Sequence, residues 1–382
     1  MSALSVPSAT LVFVSAVFVA SFPARAELDP VAVADLLAGA VGAAGDASAT
    51  YEAAAGDAAG VTITGFRATL ADGTVASIPL VVVSAILPRD AGGFTADRID
   101  FDSGTVTAAD RMLTWATASI EDVVVPPADE VKSHPKVRPF RKLSVTSLSL
   151  GGGALSAAIA AATLGFEVDE ILDGGPPAAV RMDATGVRLP AGLLGNSFAG
   201  VIVGMLNYRE FLADVSMDGI YDTAANTASI DTLAIDVATV GKVDVAARAS
   251  GLSIRALTSP DDEISKAARA NARLDSLRVR IDNAGFVERV LDMQAEMLGG
   301  TRDDVRAQIV NGALPFALSF VKNEAFRDEF RAAIAAFLAD PRSLTIVARP
   351  AEPVPLGQVA RAIVRAPMTL PDLLAPTVEA NN

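Results

Sequence analysis

One eight-residue pattern, met six times between residues 61 and 254, constrains this chain more than any other feature. It reads apolar-x-apolar-x, then a small or polar residue, then apolar-x-apolar. The fullest copies are Val61–Ala68 with Gly65 in fifth place, Leu143–Leu150 with Ser147, Met182–Leu189 with Gly186, and Ala247–Ile254 with Gly251. Val215–Ile220 is a shorter copy around Gly219, and Ala118–Val125 carries Asp122 where the others carry Gly or Ser. Side chains on a strand alternate faces with a period of two, so an apolar set on odd positions cannot continue on even ones without a slip. A β-bulge, one extra residue in one strand, supplies the slip, and Gly or a small polar residue tolerates it. Each copy therefore reads as a strand whose buried face is reset midway, with added bend and twist. Repeated along a chain, the device coils a sheet into a trough or partial barrel. In the alternative, Thr-Gly and Ser-Gly merely mark turns between separate four-residue strands. Starts at 143, 182, 215 and 247 are too uneven for a strict solenoid.

Around these copies, short β-like runs at Val61–Leu70, Ile78–Leu87, Phe94–Phe101 and Leu113–Val125 are separated by Gly, Pro, Asp and Ser clusters. That spacing predicts an antiparallel meander. Before them, Asp29-Pro30 opens a helix as N-cap and first helical residue, with Val33, Leu37 and Val41 on one face and Gly42 and Gly45 as stops. After residue 285 the period changes to that of a helix. Phe286, Val287, Val290, Leu291, Gln294 and Met297 trace one face, closed by Gly299-Gly300. Thr301 with Asp304 makes a capping box for a second helix striped by Val305, Ile309, Phe316 and Phe320, kinked at Pro315. Asn323 caps a third, with Phe326, Phe330, Ile334 and Phe337. A strand at Leu344–Val347 and a short helix with Leu356, Val359 and Ile363 follow. The expected fold is α+β and β-dominated: coiled antiparallel meander sheets with a C-terminal helical cap. Pro126, Pro127, Pro135 and Pro139 suggest a boundary, giving residues 27–135 as a helix plus meander and 136–382 as a second β-region with the helices.

Leu11–Phe22 is an apolar run too short for a bilayer crossing, which takes about 20 residues. Ala24-Arg25-Ala26 behind it has the form of a signal-peptidase site, so residues 1–26 read as an export signal. In the alternative the segment stays on as an anchor helix. No other apolar run reaches 18 residues, so no transmembrane span is expected in the mature chain. The chain has no cysteine and cannot staple itself with disulfides. Its formal charge of −14 disfavours nucleic acid and anionic surfaces as partners of the whole chain. Hydrophobic residues make up 51% but aromatics only 5%, so Ala and Val fill the core and suit thin, closely packed layers.

Motifs for chemistry are weak. His134, the single histidine, lies in a proline-flanked segment, and one histidine with no cysteine is too few nitrogen and sulfur donors for the expectation of a zinc or iron site. Asp97, Asp100 and Asp102 before Gly104 miss the spacing of a calcium loop. Ser-x-x-Lys occurs twice, at Ser133/Lys136 and Ser319/Lys322; the second falls in a helical stretch and is the one candidate for an exported serine hydrolase. Asp261, Asp262 and Glu263, like Asp303 and Asp304, sit where acids cap helices. Neither Gly195–Gly200 nor Gly151–Gly153 completes a nucleophile elbow or a phosphate loop. No catalytic, cofactor or metal residue is expected, and the chain reads as non-enzymatic.

Repeated strands of the type Ser229–Asp236 behind an export signal resemble AsmA-like and YdgA-like periplasmic proteins. The run from Phe337 through Asp340-Pro341 to Pro350–Pro355 is similar to a group of uncharacterised alphaproteobacterial exported proteins. The resemblance covers most of residues 50–380 by pattern, and implies an elongated β-structure in the envelope with, for AsmA-like members, a lipid-handling groove. The chain is expected to depart from them in having no clear retained membrane anchor. Together these features lead to the expectation of an exported, periplasmic, non-enzymatic envelope protein that binds a lipid or other apolar ligand. The alternative is a structural or protein-interaction factor whose core is filled.

Overall fold

The structure is a computed structural model that describes residues 29–45, 47–57, 59–133, 139–152, 157–168, 171, 176–195, 197–257 and 262–382. Residues 1–26, expected to be an export signal, and His134 and Lys136 lie outside the described residues. Strand outweighs helix, and the described pairings are antiparallel. The chain divides into two compact units, residues 1–177 with 184–187, and residues 178–183 with 188–382.

The first unit opens with helix α1 (Pro30–Gly45). Asp29 Oδ1 accepts the Val31 N–H at 3.1 Å, satisfying a donor the first turn would leave free. Strands β1 (Ser48–Thr50) and β2 (Ala53–Asp57) both pair with β3 (Gly60–Thr69), which pairs with β4 (Val75–Pro88). The ladder then forks. One end of β4 pairs with β5 (Phe94–Asp102) and through it β8 (Thr117–Val125). Its other end pairs with β6 (Thr105–Ala108), which pairs with β7 (Arg111–Thr114). Both branches rejoin on β9 (Lys142–Gly151), followed by β10 (Ala157–Glu167). Leu113–Val125 is thus two strands. Between them the buried Trp115 donates its indole N–H to the Phe101 carbonyl at 3.1 Å. Its ring occupies the space a Cβ at Gly104 would need. Helix α1 touches β1, β2 and β3 and also β8, so the sheet curls around it as a trough. Val33, Leu36, Leu37, Ala40 and Val41 are sealed against Ile63, Phe66, Val81, Phe94 and Ile120.

The slips in the apolar pattern are real, with a geometry of their own. Gly65, Asp122, Ser147 and Gly186 all take left-handed φ values, of 65°, 51°, 51° and 63°, and Gly251 takes 65° just past a strand. In β3, Val61 and Ile63 are buried before Gly65, and Phe66 and Ala68 after it. Yet the register with β4 resumes without an extra residue, from Thr64↔Leu80 to Phe66↔Ile78. β4 changes face in step, from Ala76 and Ile78 to Val81 and Val83. The same holds at Asp122 between Arg98↔Glu121 and Ala96↔Val123, and at Ser147 between Ile159↔Leu148 and Ala161↔Thr146. A left-handed residue rotates its strand, and the ladder survives because the partner rotates with it. Here the sheet is creased across neighbouring strands, rather than bulged on one. One-residue offsets of the expected kind occur in the second unit, at Asp218/Gly219 and Arg248/Ala249.

The boundary expected at residue 135 is corrected. β9 bonds to β8 from Thr117↔Thr146 to Glu121↔Lys142, which ties residues 142–151 into the first unit. The division falls instead within β11 (Ala179–Pro190).

The second unit is a meander of β12 (Glu210–Asp222), β13 (Thr227–Val237), β14 (Gly241–Ser250) and β15 (Arg273–Asn283), each paired with the next. β15 continues to β16 (Ser343–Ala348), which pairs with β18 (Pro376–Ala380), and a two-residue β17 (Val354–Pro355) also joins β15. Helix α2 (Ala128–Ser133) follows β8 in the first unit, and helices α3 (Phe198–Met205), α4 (Ile254–Leu257) and α5 (Asp262–Asn271) lie in the connections of the second. The helical cap is α6 (Phe286–Leu298), α7 (Arg302–Gln308), α8 (Leu314–Leu318) and α9 (Glu324–Ala339). A π-turn over Ile309–Ala313 precedes Pro315, and there the Leu314 N–H reaches back to the Ile309 carbonyl. The expected kink is therefore absorbed by widening one turn. α9 buries Ala333 and Phe337 against Leu344 and Val378. α10 (Leu356–Arg365) and α11 (Leu370–Leu374) pack Val359 and Leu374 on Leu274 and Ala348.

Candidate functional site

Period two sorts the second unit's sheet into two unlike faces. Val215, Ile235, Val243 and Ile281 pair across four strands in one row. Met217, Leu233, Val245 and Val279 form the next, and Gly219, Ile230, Ala247 and Leu277 a third. Every one of these residues except glycine is apolar, and all lie on the same face. One extra residue of β13 between Ile230 and Leu233, set against the two-residue step from Ala247 to Val245, keeps Ile230 on that face, since an uninterrupted strand would turn it over.

This apolar face is open along β12–β14. Not one of the twelve residues in the three rows is fully buried, and Ile235, Val243 and Ile281 are 43%, 39% and 38% exposed. In the first unit the matching positions of β3, β4 and β5 are sealed by α1. In the second, helix α9 covers only the far end, at β16 and β18. Chemically such a face offers dispersion contact and relief from water to an apolar partner, with no group able to transfer a proton or form a bond.

The Ser319/Lys322 pair does not survive. Residues 319–323 are a turn between α8 and α9, not a helix, so Ser-x-x-Lys is not folded to bring the amine beside the hydroxyl. Ser319 is exposed and donates its hydroxyl to the Phe316 carbonyl at 2.7 Å; Lys322 is exposed as well. Asp100 is taken up by Arg98 at 2.7 Å, and Asp97 is exposed at a crease. Ser197 serves as a helix cap, accepting the Gly200 N–H at 3.0 Å. Among the described residues no three acidic or imidazole side chains are grouped to hold a metal ion.

The two-faced sheet was partly legible in sequence, from Ser229–Asp236 and its neighbours; its openness was not, because burial depends on where the helices land. Leu274-x-x-Leu277-x-Val279-x-Ile281 repeats the broken alternation of Ile230-x-x-Leu233-x-Ile235 and marks β15 as a partner of the same kind. A family model described only as an uncharacterized protein matches residues 234–381, from β13 to the last strand. None of the curated proteins compared with the chain matches it.

Proposed function

We propose that this chain is an exported envelope protein that binds a lipid or other apolar ligand without catalysing a reaction. The observation that carries the proposal is the uncovered apolar face of β12–β14. Large aliphatic side chains repeated in register across several strands cost free energy when left in water, roughly 25 cal/mol per Å². Contiguous apolar surface of this kind marks a binding face. The Leu11–Phe22 run with Ala24-Arg25-Ala26 supports export, and the resemblance to AsmA-like proteins points the same way.

The test is saturable binding of a fluorescent fatty-acid analogue to the full chain. Ile235→Gln with Val243→Gln should abolish it while leaving the melting temperature nearly unchanged, since both side chains are already half in water. Absence of saturable binding in the unmodified protein removes the proposal. A second reading, a protein-interaction factor, is favoured by one feature. Phe316 and Phe320 are 72% and 58% exposed on the cap and meet edge to face with ring centroids 5.7 Å apart. Phe316→Ser with Phe320→Ser would then abolish a partner's binding and leave the fatty-acid analogue unaffected.

A further inference from the structure

The opposite face of the same sheet is polar, and on it guanidinium groups are matched to carboxylates. Arg181 donates to Asp218 at 2.9 Å, Arg278 to Asp244 at 2.6 Å, and Arg280 lies 2.7 Å from Asp282. Two arginines break the rule. Arg248 on β14 and Arg349, one residue past β16, make no ion pair among the described residues.

Both line a shallow cleft of about 340 Å³ with Ser229, Ser276, Arg278 and Val347. Ser229, Arg248 and Ser276 are partners in one row across β13, β14 and β15. Arg278 is partner to Val347, and Arg349 lies two residues further on, so all project from the polar face. The offsets at Ile230/Leu233 and Arg248/Ala249 flank this row, and their extra twist dishes the sheet. Asp231 is the one acid of the cleft wall. With Asp244 engaged by Arg278, three guanidiniums face two carboxylates and leave one positive charge in excess.

We propose that this cleft is an anion site, in which Arg248 and Arg349 hold an oxyanion of the phosphate class and Ser229 and Ser276 add hydroxyl donors. A guanidinium fork fits two oxygens of such a group at once. A singly charged phosphodiester or the monoanion of a phosphate ester balances the excess charge. Ile230, Ala247 and Leu277 of the third apolar row also border the cleft, so Ile235→Gln with Val243→Gln, two rows away, should leave phosphate binding unchanged and separates this site from lipid binding.

The full chain is titrated calorimetrically with inorganic phosphate and with glycerol 3-phosphate. It is also sedimented with phosphatidylglycerol vesicles and with phosphatidylcholine vesicles. The unmodified protein should bind a phosphate probe with an affinity that falls as salt rises. Arg248→Gln with Arg349→Gln should weaken that binding about tenfold or more, close to 1.4 kcal/mol per factor of ten. Arg327→Gln with Arg331→Gln, an equal charge change on α9, should not alter it. Binding to phosphatidylglycerol vesicles that the double variant loses identifies a lipid headgroup as the source. Binding of the soluble probes alone identifies a free phosphate ester. Should the double variant melt early, Arg248→Lys keeps the charge and removes the fork, and binding should still weaken severalfold. No binding to any probe, or equal binding by a folded double variant or by Arg248→Lys, overturns the proposal.

Discussion

Gly186 takes φ of 63°, and a Cβ built on it would lie 2.6 Å from the Cβ of Ala160. Two penalties therefore meet at one position. A side chain in the left-handed region costs roughly 1–2 kcal/mol, more when branched, and the contact with Ala160 adds overpacking of about 1–3 kcal/mol. Gly186→Val should lower the melting temperature well below that of Thr185→Val, where an exposed extended residue changes stability by only about 0.5 kcal/mol. Thermal melts of the two variants decide it; equal melting points would show that the crease does not need its glycine. Tyr51 offers a second test. Its hydroxyl is pushed up to about 12, first by burial and then by the hydrogen bond it donates to Asp35 at 2.7 Å. The folded state thus holds this proton more tightly than the unfolded one. Its contribution is whole below pH 10.0 and is lost as pH climbs through about 12. Phenolate absorbance should show one of the three tyrosines titrating two units late, and Tyr51→Phe should remove that step. The left-handed residues Gly65, Asp122, Ser147, Gly186 and Gly251 stand where the pattern switches, whereas Ala85 in β4 lies outside it and Gly219, which the pattern includes, is not left-handed. That partner strands change face together was not legible in the sequence, since one strand's sequence does not state its neighbour's register.

At the scale of elements, α7 is held at its start by a reciprocal cap. Asp304 accepts the Thr301 N–H at 2.8 Å, and Thr301 Oγ1 accepts the Asp304 N–H at 3.3 Å. Thr301→Ala should cost about 1 kcal/mol, measured by chemical unfolding. The Thr301 hydroxyl and N–H hold the Asp304 carboxyl below its ordinary value of 3.8. The contribution is therefore complete above pH 3.8, and fades as pH falls below it. This cap, the start of α1 at Asp29-Pro30 and the start of α9 at Asn323 were all readable, because capping needs only residues three or four apart. The π-turn before Pro315 was readable as a disturbance and not in kind. The short helices α3 and α5 and the fork at Trp115 answer to tertiary surroundings, and their sequences announce neither.

Over the whole molecule the two units differ in how they bury their apolar faces. The first encloses a helix; the second leaves β12–β14 half in water. Leu37→Ala in α1 should cost about 2–5 kcal/mol, whereas Ile235→Gln in β13 should change stability by no more than about 1 kcal/mol. Urea melts of both variants test this contrast, and a large loss at Ile235 would mean that its face is covered. The sequence by itself determined the β-dominated class, the helix periods and caps, the strand faces and the places where those faces switch. Each of these follows from spacings of two, three or four residues. Only the tertiary structure decided that the chain divides within β11 and not at residue 135, because the β8–β9 ladder joins segments about 25 residues apart. It likewise decided that Ser319 and Lys322 fall in a turn and not on a helix, and that one apolar face is sealed while its counterpart stays open. Those outcomes depend on which distant element arrives to pair or pack, and local spacing does not encode that.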